Sequence, residues 1–124
     1  MYRITKQFPF SASHRLDHLP ESHRCSRLHG HNYVVEVVLE SRELDGNGFV
    51  RDYGELDPLK SFIDEQLDHR HLDDVLPEGV VSSAENIARY IYDFAASRWP
   101  EVAAVRVSET PKTWAEYRPD PSGS

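Results

Sequence analysis

Cysteine, long hydrophobic runs and excess positive charge are all scarce in this sequence, and each shortage narrows what the protein can be. Cys25 is the only cysteine among 124 residues, which excludes an intramolecular disulfide and a zinc site made of four cysteines. No apolar segment approaches the length of a membrane span, and the N-terminus carries no apolar signal region. We therefore expect a soluble, cytoplasmic protein without a membrane partner.

The charge balance is acidic, with a net charge of −7 from 14 Lys and Arg against 21 Asp and Glu. Domains that bind nucleic acids present a basic surface to phosphate, so we expect no nucleic-acid partner. A small anionic ligand is compatible with the sequence, because Arg15, Arg24 and Arg27 lie near a group of histidines. The alternative is that these arginines belong to an ordinary solvated loop.

A chain of this length predicts one domain, over residues 1–118, followed by a flexible tail at residues 119–124 that lacks large apolar side chains. The domain is large enough to bury a core but small for a substrate cleft of its own. An active site shared between the subunits of a homo-oligomer would solve that problem.

Alternating apolar residues predict strands at residues 2–10, 31–40, 103–108 and 114–117. The turn signal Gly46-Asn47-Gly48 precedes residues 49–53, and this pattern predicts a hairpin there.

Two segments have helical spacing instead. In the first, Asp57 is the predicted N-cap and Pro58 the first helical residue. In the second, Ser82 and Glu85 match a capping box before an apolar stripe that continues to Ala95. The order of elements predicts an α+β fold, with an antiparallel β-sheet and two helices on one face.

Residues 25–33, which read CSRLHGHNY, are the most informative stretch. In a strand, His29 and His31 point to the same face and can converge on one ion. His14, in another predicted strand, is a third candidate. Three neutral imidazoles with an open fourth position are typical of catalytic zinc, although an isolated His-X-His pair is more often not a ligand. Cys25 is either a nucleophile or proton carrier, or an inert core residue.

A second polar cluster, Asp68-His69, lies between the two predicted helices. An aspartate can orient an imidazole that exchanges protons with a nearby thiol. Taken alone, the pair is more typical of a polar cluster at a helix end. His71 is a second candidate for the same role.

Together, these segments resemble the 6-pyruvoyltetrahydropterin synthase and 6-carboxytetrahydropterin synthase family, over residues 8–16, 25–33, 52–56, 67–72, 83–87 and 107–110. The cysteine followed after three residues by His-Gly-His-Asn-Tyr is highly specific. The resemblance implies site residues of three kinds: zinc ligands His14, His29 and His31; catalytic residues Cys25, Asp68 and His69; and substrate-binding residues Glu109, Ser83 and Glu85.

The resemblance also implies a tunnelling fold (T-fold), in which subunits assemble into barrels, commonly hexamers, with active sites between subunits. The three-residue gap after Cys25 is similar to that of the 6-carboxytetrahydropterin branch. The resemblance to this branch implies conversion of 7,8-dihydroneopterin triphosphate to 6-carboxy-5,6,7,8-tetrahydropterin, acetaldehyde and triphosphate, in 7-deazapurine and queuosine precursor biosynthesis. Ala84 stands where many relatives carry a hydroxyl residue. The alternatives are a 6-pyruvoyltetrahydropterin synthase, which keeps all side-chain carbons, and a non-catalytic zinc-containing pterin-binding protein.

Overall fold

A computed structural model describes residues 1–16, 18–23 and 29–121 of the chain. Its elements are, in order, strands β1 (Tyr2–His14) and β2 (His29–Ser41), helices α1 (Asp57–Gln66), α2 (Leu72–Val75) and α3 (Ala84–Arg98), and strands β3 (Val102–Thr110) and β4 (Thr113–Tyr117). No helix within these ranges is long and apolar enough to cross a membrane.

The four strands form one antiparallel sheet in the order β1-β2-β3-β4, so β1 and β4 are its edges. Side chains alternate along the strands, and in β1 the buried face carries Phe8, Phe10 and Ala12. Helix α3 covers this face with Ile87, Ala88, Ile91 and Ala95, while Leu59 and Ile63 of α1 complete the same core. The α+β prediction is therefore confirmed.

The predicted hairpin after Gly46-Asn47-Gly48 was wrong, although the turn itself is present. The Asp45 side chain organises this turn by accepting hydrogen bonds from the backbone N–H groups of Asn47 (2.9 Å) and Phe49 (3.0 Å). Residues 49–53 then form no strand, because they run directly into a 3-10 helix, Tyr53–Leu56, that leads into α1.

The predicted helix starts were each displaced by one residue. Leu56, rather than Asp57, is the N-cap of α1, and Ser83, rather than Ser82, caps α3 by accepting a hydrogen bond from the Asn86 N–H at 3.3 Å. The Ser82 hydroxyl instead donates to Asp73, a contact between distant segments that a local capping rule cannot foresee. The short helix α2 was not predicted.

Candidate metal centre and active site

The C-terminal end of β1 and the N-terminal start of β2 bring three histidines together. His14 and His29 form the last residue pair of the β1–β2 ladder, and His31 follows two residues later on the same face of β2. One imidazole nitrogen from each ring lies within 4.8 Å of the other two. Nε2 of His14 and Nε2 of His29 lie 2.9 Å apart.

This cluster could hold a metal ion. Nitrogen ligands of tetrahedral zinc lie about 2.0–2.1 Å from the metal, which places neighbouring nitrogens roughly 3.3 Å apart. That separation falls between the 2.9 Å that joins the His14 and His29 nitrogens and the 4.8 Å that is the upper limit for all three rings. Imidazole nitrogens are also the donors that zinc commonly takes in catalytic sites, so the donor set fits the cofactor implied by the sequence.

His14 is oriented by a hydrogen bond on the far side of its ring. Its side chain is buried, and Nδ1 lies 2.7 Å from the Ser82 carbonyl oxygen. Because a carbonyl can only accept, Nδ1 carries the proton and donates. Nε2 is therefore left with a lone pair that faces His29, which is the tautomer a metal ligand requires.

Electrostatics at His31 also favour the neutral ring. Burial lowers the pKa of His31, while the Glu109 carboxylate acts in the opposite direction and the neighbouring imidazoles of His14 and His29 lower it further. The net shift is downward, and a neutral imidazole is the form that binds metal.

Glu109, near the end of β3, points its carboxylate at the histidine cluster. Its Oε2 lies 3.8 Å from Nε2 of His14 and 3.7 Å from Nε2 of His31. Glu109 and His14 line a cavity of about 430 Å³ that is also lined by Ser83 and Glu85. All three predicted substrate-binding residues thus face the same cavity as a predicted metal ligand.

Tyr33 lies in the core next to this cluster. Its ring stacks on Phe10 with 4.7 Å between centroids and makes a T-shaped contact with the ring of His31. Burial raises the pKa of Tyr33, and the carboxylates of Glu109 and Asp73 add to the effect. The Tyr33 hydroxyl has no hydrogen-bond partner among the described residues, and its raised pKa keeps it protonated.

The predicted pair Asp68 and His69 is formed but lies outside the cavity. Nδ1 of His69 is 2.9 Å from Oδ2 of Asp68, and the other Asp68 oxygen accepts the Ser11 N–H at 2.9 Å. That backbone hydrogen bond is the main reason the pKa of Asp68 is lowered, against burial and with help from His69. The His69 side chain is 83% exposed. Cys25, the third predicted catalytic residue, lies outside the described residues.

The backbone explains why His69 is exposed. His69 has φ of 58°, a left-handed conformation that is uncommon outside glycine. Its N–H donates to the Ser11 carbonyl at 2.6 Å, and the Arg70 carbonyl accepts the Ser13 N–H at 3.1 Å. The segment after α1 therefore runs along the outer edge of β1, and this path turns the His69 ring towards solvent.

Sequence reasoning missed the polar contacts that link the end of β1 to the segment between α1 and α3. His71 lies between Ser13 and Asp73, with Nδ1 at 3.0 Å from the Ser13 hydroxyl and Nε2 at 3.0 Å from an Asp73 oxygen. Asp73 also contacts Ser82. These contacts join separate segments of the chain, so no local sequence motif predicts them.

Comparison with known proteins places the chain among pterin synthases. A family model described as 6-pyruvoyl tetrahydropterin synthase matches residues 3–120. A 6-carboxy-5,6,7,8-tetrahydropterin synthase of Bacillus subtilis is 29% identical over 138 residues, covering 98% of this chain and 88% of the relative. A 6-pyruvoyl tetrahydrobiopterin synthase of Dictyostelium discoideum is 32% identical over 127 residues, covering 93% and 94%.

The fold has the same relatives. The solved structure of Caenorhabditis elegans 6-pyruvoyl tetrahydropterin synthase superposes with a TM-score of 0.84 at 31% identity, covering 96% of both chains. The T-fold prediction is therefore confirmed for the single chain, whereas its assembly into a barrel stays a prediction. Both branches of the resemblance are represented among the relatives.

Proposed function

The chain belongs to the 6-pyruvoyl tetrahydropterin synthase family, and on this premise we propose that it is a zinc-dependent 6-carboxy-5,6,7,8-tetrahydropterin synthase. The proposed substrate is 7,8-dihydroneopterin triphosphate, and the products are 6-carboxy-5,6,7,8-tetrahydropterin, acetaldehyde and triphosphate. The proposed role is cytoplasmic biosynthesis of 7-deazapurines such as the queuosine precursor. The proposal rests above all on one observation: three imidazoles and the Glu109 carboxylate meet beside a single cavity.

His14, His29 and His31 are the residues proposed to hold zinc. Bound zinc supplies a Lewis acid that polarises substrate oxygens and acidifies the neighbouring C–H bonds. The chain's own contribution is orientation, because the Ser82 carbonyl holds the His14 ring with Nε2 directed at the cluster. A ligand cannot rotate away without losing that hydrogen bond.

Glu109 is proposed to anchor the pterin ring. A carboxylate accepts two parallel hydrogen bonds, which matches the 2-amino group and N3–H on one edge of a pterin. The Glu109 side chain is only partly exposed and sits within 4 Å of two of the three imidazoles. A ring held there places its side chain beside the histidine cluster, where the chemistry takes place.

Cys25, Asp68 and His69 are proposed to move protons. Asp68 orients His69 through the 2.9 Å contact to Nδ1, so Nε2 is available to exchange a proton. The His69 side chain is 83% exposed and does not line the cavity of its own chain. We therefore propose that His69 serves a cavity completed by a neighbouring subunit.

Such sharing needs a homo-oligomer, and we propose a hexamer. Strand β4 and the N-terminal half of β1 are sheet edges, which pair readily with edges of other copies. Light scattering should report six chains at micromolar concentration. A fully active monomer would contradict both the assembly and the shared site.

The second candidate is a 6-pyruvoyltetrahydropterin synthase, which eliminates triphosphate but breaks no C–C bond. The Dictyostelium discoideum relative is named a 6-pyruvoyl tetrahydrobiopterin synthase, and the Caenorhabditis elegans structure a 6-pyruvoyl tetrahydropterin synthase. The gap of three residues between Cys25 and His29 favours the 6-carboxy branch.

One incubation distinguishes the two. Zinc-loaded protein is mixed with 7,8-dihydroneopterin triphosphate, and the pterin product is identified by mass while acetaldehyde is trapped and quantified. Acetaldehyde and 6-carboxytetrahydropterin in equal amounts support the proposal. A pterin that keeps every side-chain carbon supports the second candidate. Binding of the substrate without turnover would leave a pterin-binding protein.

A further inference from the structure

The end of β1 is tied to the segment between α1 and α3 at three successive residues. Ser13 contacts His71, the His14 ring contacts the Ser82 carbonyl, and the Arg15 N–H reaches Asp73. We propose that Asp73 is the positioning residue that holds His14 as a metal ligand. This inference rests on the proposed metal centre at the three histidines.

The Asp73 carboxylate uses both of its oxygens. Oδ1 accepts a short hydrogen bond from the Ser82 hydroxyl, at 2.5 Å. Oδ2 accepts the Arg15 N–H at 2.9 Å and lies 3.0 Å from Nε2 of His71. One side chain therefore connects the peptide that follows His14 to the residue whose carbonyl orients the His14 ring.

The geometry at Ser82 shows how this connection reaches the metal site. Ser82 is fully buried, and its hydroxyl and carbonyl face different partners: the hydroxyl donates to Asp73 and the carbonyl accepts from Nδ1 of His14. Fixing the Ser82 side chain fixes the place of its carbonyl. The Arg15 contact holds the peptide that follows His14 on the same Asp73 carboxylate. The backbone of His14 and the carbonyl that its ring donates to are thus both fixed, so the ring has one orientation.

The orientation matters because the protonated nitrogen of the ring decides which nitrogen binds metal. A ring released from the Ser82 carbonyl can turn, and Nε2 then no longer points steadily at His29 and His31. Loss of such an outer partner typically weakens metal binding by about tenfold to a hundredfold. Asp73 thus acts on the metal centre through Ser82 and Arg15, without touching the ion.

The test compares zinc affinity, measured by competition with a chelating indicator, across a set of variants. Asp73→Ala should weaken zinc binding about tenfold or more, and Asp73→Asn, which keeps one acceptor oxygen and the volume, should weaken it less. Asp74→Ala is the matched control, since Asp74 is an exposed acid on the same short helix. The visible spectrum of the cobalt-substituted protein should shift in Asp73→Ala and not in Asp74→Ala.

A double-mutant cycle checks the route. If Asp73 acts partly through the Ser82 hydroxyl, Asp73→Ala and Ser82→Ala together should cost less zinc affinity than the product of the two single losses. If the loss of zinc affinity in the double variant equals the product of the two single losses, Asp73 does not act through the Ser82 hydroxyl and that route is overturned. Wild-type zinc affinity in both Asp73 variants, with only the thermal stability of the metal-free protein lowered, would overturn the inference. If Asp73→Ala does not fold, unchanged affinity in Asp73→Asn decides against it.

Failure of the inference differs from failure of the proposed metal centre. A wild-type protein that binds no zinc would overturn the metal centre itself. A wild-type protein that binds zinc through His14, beside Asp73 variants that bind it equally well, would overturn only the role given to Asp73.

Discussion

The Nε2 atoms of His14 and His29 lie 2.9 Å apart, at the last residue pair of the β1–β2 ladder. The two histidines are 15 residues apart in the chain, so it is the pairing of β1 with β2 that brings their rings together. The proposed metal centre is therefore built by the register of two strands.

Replacement of His29 by alanine should abolish tight zinc binding, because two imidazoles remain where three are needed. Zinc content after purification, measured by elemental analysis, should fall from about one ion per chain to a small fraction. His23→Ala is the matched control, since His23 is an exposed histidine outside the cluster. Undiminished zinc in His29→Ala would remove His29 from the ligand set.

Replacement of Glu109 by glutamine should weaken pterin binding while zinc content stays unchanged. The amide presents an NH2 group where the pterin edge needs a second acceptor, and losing a charge-assisted hydrogen bond costs about 1.5–3 kcal/mol. KM should therefore rise by roughly tenfold or more. Glu43→Gln, at an exposed position away from the cavity, is the control. A Glu109→Gln protein with wild-type KM would contradict the anchoring role.

Replacement of Cys25 or His69 by alanine should leave zinc and pterin binding intact but lower turnover. Loss of one general acid–base group typically costs about a hundredfold, and more where the group serves several proton transfers. We expect the larger loss for Cys25→Ala. Single-turnover measurements that separate binding from chemistry check the prediction.

His71→Ala decides between two rings for the proton relay. His71 is held between Ser13 and Asp73, whereas His69 contacts the Asp68 carboxylate through its Nδ1 and is largely exposed. If His71→Ala loses acetaldehyde release while His69→Ala keeps it, the proton-transfer role belongs to His71.

Stability should depend on pH through Asp68. The Ser11 N–H hydrogen bond lowers the pKa of Asp68 below its ordinary value of 3.8, so the unfolded chain binds the proton more tightly than the folded one. The stabilisation is therefore fully present above that ordinary value and is lost as the pH falls through the lowered one. Urea unfolding should show wild type more stable than Asp68→Asn at pH 6, with the difference shrinking in acid. A constant difference across this range would contradict the assignment.

The sequence predicted the elements whose signals are local. Strand β2 and helix α3 followed from apolar periodicity, and the motif from Cys25 to Tyr33 indicated two members of the histidine cluster. The hairpin predicted at residues 49–53 was wrong, because a strong turn signal followed by apolar residues resembles a hairpin even when those residues form no strand. The positioning role proposed for Asp73 could not be predicted from the sequence, because it depends on contacts with Arg15 and Ser82 that only the folded chain creates.

The buried stripe of β1 continues from Phe8 and Phe10 to His14 without a change of period. A slip of one residue against β2 would turn the imidazole to the opposite face and carry both phenylalanine rings into water at the same time. Chains with a misaligned histidine cluster are therefore also chains without a core. We expect such chains to be degraded as misfolded polypeptides rather than to persist as folded, inactive subunits.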